Sequence, residues 1–218
     1  MHRAVFDRIR SDILRGPIAG GVRLHQSELA RTYGVSITPV REALRNLAAE
    51  GLVDVTVYAG AVVHQPTLEE LAQIYRIPAA LLPLAVKEAV ARITAAELQA
   101  ADQLITTMST AISPEQWLDG NRRLHHLFDE ATRNVHLTTI LRRLGDVSTL
   151  YVNISLDAEA GVRDADEEHR AILDAYRSRN EAAVEELTIH HFEKTLEMSR
   201  SRLTAEHTGT EANQRHVL

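Results

Sequence analysis

From Thr67 onward the apolar residues recur every three or four positions. That period admits one architecture, amphipathic helices packed on one another. The segments that carry it run over about 68–92, 95–111, 114–132, 136–156, 164–178 and 181–203. Start signals stand where they should. Thr67 with Glu70 and Thr94 with Glu97 read as capping boxes, and Ser113-Pro114 as an N-cap followed by proline in the first turn. Pro78 and Pro83 predict kinks in the first of these helices. Residues 205–218 are polar and are expected to form a disordered tail. Aromatic residues make up only 4% of the chain, and that composition also leans helical.

Before Thr67 the pattern changes. A helix is expected over about 2–15, with Val5, Ile9, Ile13 and Leu14 on one side, broken by Gly16-Pro17 and Gly20-Gly21. A short helix over 26–32 ends at Tyr33-Gly34. Ser36 opens a second, over 37–50, with Pro39 in its first turn, Val40, Leu44 and Leu47 inward, and Gly51 as the stop. Two short strands follow, 53–57 and 61–64, around Tyr58-Ala59-Gly60. Helix, turn, helix, hairpin is the order of a winged helix-turn-helix, whose second helix enters the DNA major groove. Here that helix turns Thr38, Arg41 and Arg45 outward, and Arg is the usual reader of guanine edges and phosphates. A small helical domain with a solvated Arg face would share the charge but not the order of elements. The charge is split as well: residues 1–67 hold 8 Arg against 6 Asp and Glu, hence +2, and residues 68–218 hold 16 Lys and Arg against 24 Asp and Glu, hence −8. Gln65-Pro66 marks the junction, giving a DNA-binding domain over 1–66 and an all-helical domain over 67–204. The chain has no cysteine, no membrane-length apolar run and no signal-peptide core at its start. A cytoplasmic protein without disulfides, thiolate ligands or membrane contact is expected.

The helical domain carries polar side chains where apolar ones belong. Its inner stripes read Trp117, Asn121, Leu124, His125, Phe128, then Ala165, His169, Ile172, Leu173, Tyr176, then Val184, Leu187, His191, Thr195, Met198. Asn121 and His125 are four apart and point the same way. One inward histidine is usually a hydrogen-bonded core residue. Three on three stripes, with an amide one turn before the first, match what a divalent transition metal takes inside a bundle. By contrast, His126 groups with Arg122, Asp129 and Arg133, and His190 with Glu186 and Lys194, and these read as solvated faces.

The run Ser36-Ile37-Thr38-Pro39-Val40-Arg41-Glu42-Ala43-Leu44, then Glu50-Gly51-Leu52-Val53, preceded by Glu28-Leu29-Ala30-Arg31-Thr32-Tyr33-Gly34-Val35, resembles GntR-family transcription regulators. Asn121-x-x-x-His125 leading to Asn134, then Glu168-His169, then His191 resembles the all-helical FCD ligand-binding domain of that family's FadR branch. The resemblance covers about residues 5–203. It implies a homodimeric, metabolite-responsive regulator, in most relatives a repressor, with a small organic acid as effector and a pseudo-palindromic double-stranded operator as partner. It implies Ser36, Ile37, Thr38, Arg41 and Arg45 at the DNA, braced by the wing at Gly60. It also implies a divalent ion, zinc first and nickel or manganese next, on Asn121, His125, His169 and His191. Three positions depart from the family pattern. Ile37 stands where an Arg is usual, and Asn121 where Asp is common. Pro78 and Leu82 stand where an Arg and a Glu are often found, which predicts a more apolar pocket. Two readings compete: a regulator that senses the metal itself, and a metal-dependent hydrolase or lyase. The second lacks an acid on the inner stripes placed as general base.

Overall fold

The computed structural model describes residues 2–15, 18–56, 60–65, 67–155 and 159–215. The chain divides into two compact units, Met1–Pro66 and Thr67–Leu218. The first, here the head, holds α1 (His2–Leu14), β1 (Arg23–Leu24), α2 (Gln26–Tyr33), α3 (Ile37–Glu50), β2 (Val53–Thr56) and β3 (Gly60–Val63). Ile9, Ile13, Val40, Leu44, Leu47 and Val63 close its core, each 2% exposed or less. Two helices end on glycines in the left-handed region, Gly34 (φ 65) and Gly51 (φ 83), where a side chain would be strained. The strands form an antiparallel sheet in the order β1-β3-β2, with Arg23 opposite Val62 and Val53 opposite Val63. The two-residue strand β1 was not foreseen, because two residues carry no period. Tyr58 and Ala59, the expected wing tip, lie outside the described residues.

The second unit, the body, holds α4 (Leu68–Arg92), α5 (Ala95–Ser109), α6 (Pro114–Ala131), α7 (Val135–Ser155), α8 (Glu159–Arg177) and α9 (Glu181–Arg215). Thr94 and Glu97 form the full capping box, and Ser113 caps α6 ahead of Pro114. At α4 the box is altered: the Thr67 hydroxyl accepts from the Glu70 N–H, while the Thr67 N–H donates to the Tyr151 hydroxyl. Both prolines lie inside one continuous α4. One expectation is corrected. Helix α9 runs on to Arg215, past Ala205, where a disordered tail was expected. Polarity is a poor sign of disorder in a stretch that lacks proline and holds Ala, Glu, Gln and Arg, all good helix formers.

Two features set the helices that matter below. At Gly120, α5 and α6 approach so closely that a Cβ would stand 2.5 Å from Met108 Cγ. This contact fixes the side of α6 that turns inward. Arg179, in the turn between α8 and α9, donates to the carbonyls of Val90 and Ile93 and so ties that turn to the end of α4. Among the described residues no helix is long and apolar enough to cross a membrane.

Candidate metal centre and nucleic-acid interface

In the head, α3 presents one polar face. Ser36, Ile37, Thr38, Arg41 and Arg45 are all exposed, while Val40, Ala43, Leu44 and Leu47 are buried on the opposite side. Ser36 is the N-cap residue of α3, yet its hydroxyl makes no capping hydrogen bond. Arg41 Nε donates to Gln26 Oε1 of α2 at 3.4 Å, which steadies the guanidinium without neutralising it. Ile37, at 44% exposure, is an uncovered apolar side chain at the start of that face. Gly60 opens β3 with a φ of 76 and is exposed.

In the body, α6, α8 and α9 bring His125, His169 and His191 together. One nitrogen from each lies within 4.8 Å of the others. The ring centroids stand 5.3 Å (His125 to His169), 5.4 Å (His125 to His191) and 4.6 Å (His169 to His191) apart. Asn121, one turn before His125, is 8% exposed and lines the same cavity as His125 and His191. Burial, with His191 and His126 nearby, pulls His125 down to about 3. Burial, with His191 and His125 adjacent, holds His169 well below the usual imidazole value. Both rings are therefore neutral near pH 7, with lone pairs available.

The hydrogen bonds of this cluster are incomplete in a telling way. Neither His169 nitrogen has a hydrogen-bond partner, and neither has Asn121 Oδ1, although all three atoms are buried. An unsatisfied buried polar group costs about 1–3 kcal/mol, so native interiors seldom leave three in one place. His191 is different: its Nδ1 donates to Glu168 Oε2 at 2.7 Å, which leaves Nε2 as the bare nitrogen. Burial works to raise the Glu168 carboxyl, but the hydrogen bonds from His191 and Lys194 outweigh it and hold the group below its usual value. A carboxylate behind a histidine in this manner is the common support of a metal ligand. Imidazole nitrogen and amide oxygen are a donor set that first-row divalent ions accept, so the residues fit such an ion.

Sequence reasoning placed Glu168 beside His169 in the FCD-like run but gave it no role. It diverges from its neighbour His169, as i,i+1 residues on a helix must, and that divergence aims it at α9. A second expectation is corrected. His126, Arg122 and Asp129 do not form a solvated face. His126 is 7% exposed, with Nε2 3.4 Å from Asp146 Oδ1, and Arg122 and Asp129 line the cavity. The cause is that α6 packs against α4, α5 and α7 together, so it has several inner faces rather than one. Arg133 and His190 are exposed, as expected. The cavity has one lobe of about 110 Å³ and another of about 60 Å³, and His125, Asp129, Pro78, Leu141 and Phe192 line both. Leu82 adds to the apolar side of the smaller lobe.

Comparison with known proteins covers both units. Residues 2–63 match the family described as "Bacterial regulatory proteins, gntR family", and residues 73–194 match the family described as "FCD domain". The chain is 24% identical over 196 residues to the uncharacterized HTH-type transcriptional regulator YdhC of Bacillus subtilis, covering 88% of each. It is 28% identical over 190 residues to a probable D-xylose utilization operon transcriptional repressor of Paenarthrobacter nicotinovorans, covering 86% of this chain and 83% of the relative. It is 27% identical over 194 residues to the HTH-type transcriptional repressor GlaR of Escherichia coli, covering 84% and 88%. Among solved structures, E. coli McbR/YncC shares the fold with a TM-score of 0.83 at 22% identity, covering 92% of this chain and 97% of that one.

Proposed function

Because this chain belongs to the GntR family of bacterial regulatory proteins and carries an FCD domain, we propose that it is a homodimeric repressor whose body takes up a small organic effector beside a bound metal ion. It is a transcriptional regulator, with a DNA-binding head and a body of the effector-binding class. The naming of two relatives as repressors supports repression. In the head, α3 enters the major groove, with Ser36, Ile37, Thr38, Arg41 and Arg45 toward bases and phosphates and Gly60 at the wing beside them. Arg41 and Arg45 supply phosphate or guanine contacts, and Ile37 meets a thymine methyl. A two-fold dimer fits a pseudo-palindromic operator. Ile77 and Leu84, seven residues apart on α4, and Ile140 on α7 are each 46–48% exposed and offer apolar surface for the partner copy. A protein of this kind works in the cytoplasm, where the operator is.

In the body, Asn121, His125, His169 and His191 hold the ion, zinc first and nickel or manganese as alternatives. The observation that carries this reading is His169, a buried ring with both nitrogens unpartnered and two further imidazoles at contact distance. When bound, the ion supplies positive charge and open coordination positions for an effector oxygen. Glu168 fixes the tautomer of His191, and Asn121 contributes an oxygen without charge, so the ion is held less tightly than with Asp in that place. Effector contacts that differ between two arrangements of the protein shift their populations, by a coupling of about 1–3 kcal/mol between sites.

The test uses the full-length protein on its operator in a mobility-shift titration, with metal content measured in parallel. Wild type is expected to hold one ion per chain and to change operator affinity with small organic acids only when metal-loaded. His169→Ala is expected to lose the ion and the response while still binding the operator. A His169→Ala protein with a full complement of metal would overturn the assignment.

A further inference from the structure

One acidic side chain on the cavity wall has no ion-pair partner among the described residues. Asp129 lies one turn past His125 on α6 and lines both lobes. The residue is partly buried and its side chain contributes to the cavity wall. Among the described residues no hydrogen bond or ion pair reaches it. The nearest cationic influence, Arg142, is bound to Glu130 at 2.9 Å. The other charged residue on the wall, Arg122, is already flanked by Asp119 at 3.2 Å and Asp146 at 3.9 Å. Burial pushes the Asp129 carboxyl up to about 7, Arg142 only partly opposing, with Asp146 and Glu130 adding to the rise. Such a rise marks an acid that no adjacent cation stabilises.

Asp129 is not part of the metal-donor cluster, which comprises His125, His169 and His191. The cavity therefore has two chemically opposite ends. At one, neutral imidazoles and an amide leave a bound ion its full positive charge, which favours a carboxylate. At the other, a buried carboxyl favours a cation. The same wall carries apolar side chains, among them Pro78, Leu141 and Phe192. Four residues of helix set the Asp129 backbone about 6 Å along α6 from that of His125, so the two groups stand on one wall one turn apart. A short aliphatic chain with a charge at each end is of that order. The larger lobe, about 110 Å³, is of the right order, since a cavity of about 150 Å³ accepts a benzene ring.

We infer that the effector is a small ω-amino carboxylate, its carboxylate at the metal end and its protonated amine on Asp129. This rests on the metal-centred reading above and deepens it. A plain carboxylate of equal length leaves Asp129 against an alkyl group. A dicarboxylate sets a like charge against it, so the site discriminates by repulsion as well as attraction.

The experiment is calorimetric titration of zinc-loaded full-length protein with three chains of matched length, δ-aminovalerate, valerate and glutarate. δ-Aminovalerate is expected to bind at least about tenfold more tightly than valerate, with glutarate weakest. Asp129→Asn should bring δ-aminovalerate down to the level of valerate with zinc content unchanged. Asp129→Glu, which keeps the charge, should keep the preference. Valerate or glutarate binding wild type as tightly as δ-aminovalerate overturns the inference. So does binding by none of the three, or a preference that survives in Asp129→Asn. Zinc is measured in every sample, and pentylamine, which has no carboxylate, is titrated as a fourth probe. Absent zinc with pentylamine still preferring wild type over Asp129→Asn means that only the metal-centred reading has failed.

Discussion

The head and the body handle polarity in opposite ways. In the head, the candidate side chains stand on the outside of α3: Thr38, Arg41 and Arg45 are exposed, and the buried face is wholly apolar. In the body they stand inside: Asn121, His169 and His191 are each 8% exposed or less. The contrast is what the two proposed partners require. A polyanion releases counterions when it meets solvated cations, so its binding groups stay charged and wet. A metal ion needs ligands that are neutral or anionic, unprotonated and convergent, so its binding groups are desolvated and left without hydrogen bonds until it arrives. Exposure is therefore informative in one unit, and unsatisfied burial in the other.

If the two regions act as described, a change in one should leave the other's chemistry intact. The largest effect is expected for Arg41→Ala in the head. Loss of one base or phosphate contact costs about 1–3 kcal/mol, or roughly 5- to 150-fold in operator affinity, and flattens the salt dependence by about one ion. Metal content should not change. Operator binding that is undiminished removes Arg41 from the interface. A smaller effect is expected for Glu168→Gln in the body. Loss of the carboxylate behind His191 should weaken metal binding about tenfold, by competition with a chelating dye, and leave operator affinity of the metal-loaded protein alone. Unchanged metal affinity would make Glu168 a surface partner of Lys194 and nothing more.

The smallest effect concerns pH. His125, held at about 3, and His169, held well below its usual value, sit under the ordinary imidazole value of 6.5. Between 6.5 and about 3 the unfolded chain binds protons that the native rings refuse, so metal-free protein loses stability as pH falls through that window. Asp129 works the other way. Its folded value of about 7 lies above 3.8, so its contribution is present at low pH and lost as pH rises toward 7. Scanning calorimetry of metal-free protein at pH 7 and pH 5 should show the body's transition falling with acid, and falling more steeply in Asp129→Asn, where the offset is gone. An equal fall in the two proteins contradicts the placement of Asp129.

Much of this was legible in the sequence, and for a physical reason. Period marked the helices, and polar residues that broke the period marked three imidazoles that the fold brings together. Asn121, His125, His169 and His191 stand out because each interrupts a run of apolar neighbours one turn apart. What was not legible needed tertiary structure. Helix α6 is covered by three others, so the faces holding His126 and Asp129 look solvated to any argument that allows one buried face per helix. Glu168 reaches a histidine on the next helix, and spacing within a helix cannot register that. Strand β1 is paired only through β3, whose residues lie far away in sequence.

The account depends most on three imidazoles sharing one ion. X-ray absorption at the metal edge of the purified, metal-loaded protein tests that directly. The account predicts one ion per chain with three imidazole nitrogens in its first shell, at about 2.0–2.1 Å for zinc. A shell of oxygen alone, or a protein that takes up no ion in proportion to its chains, would contradict it.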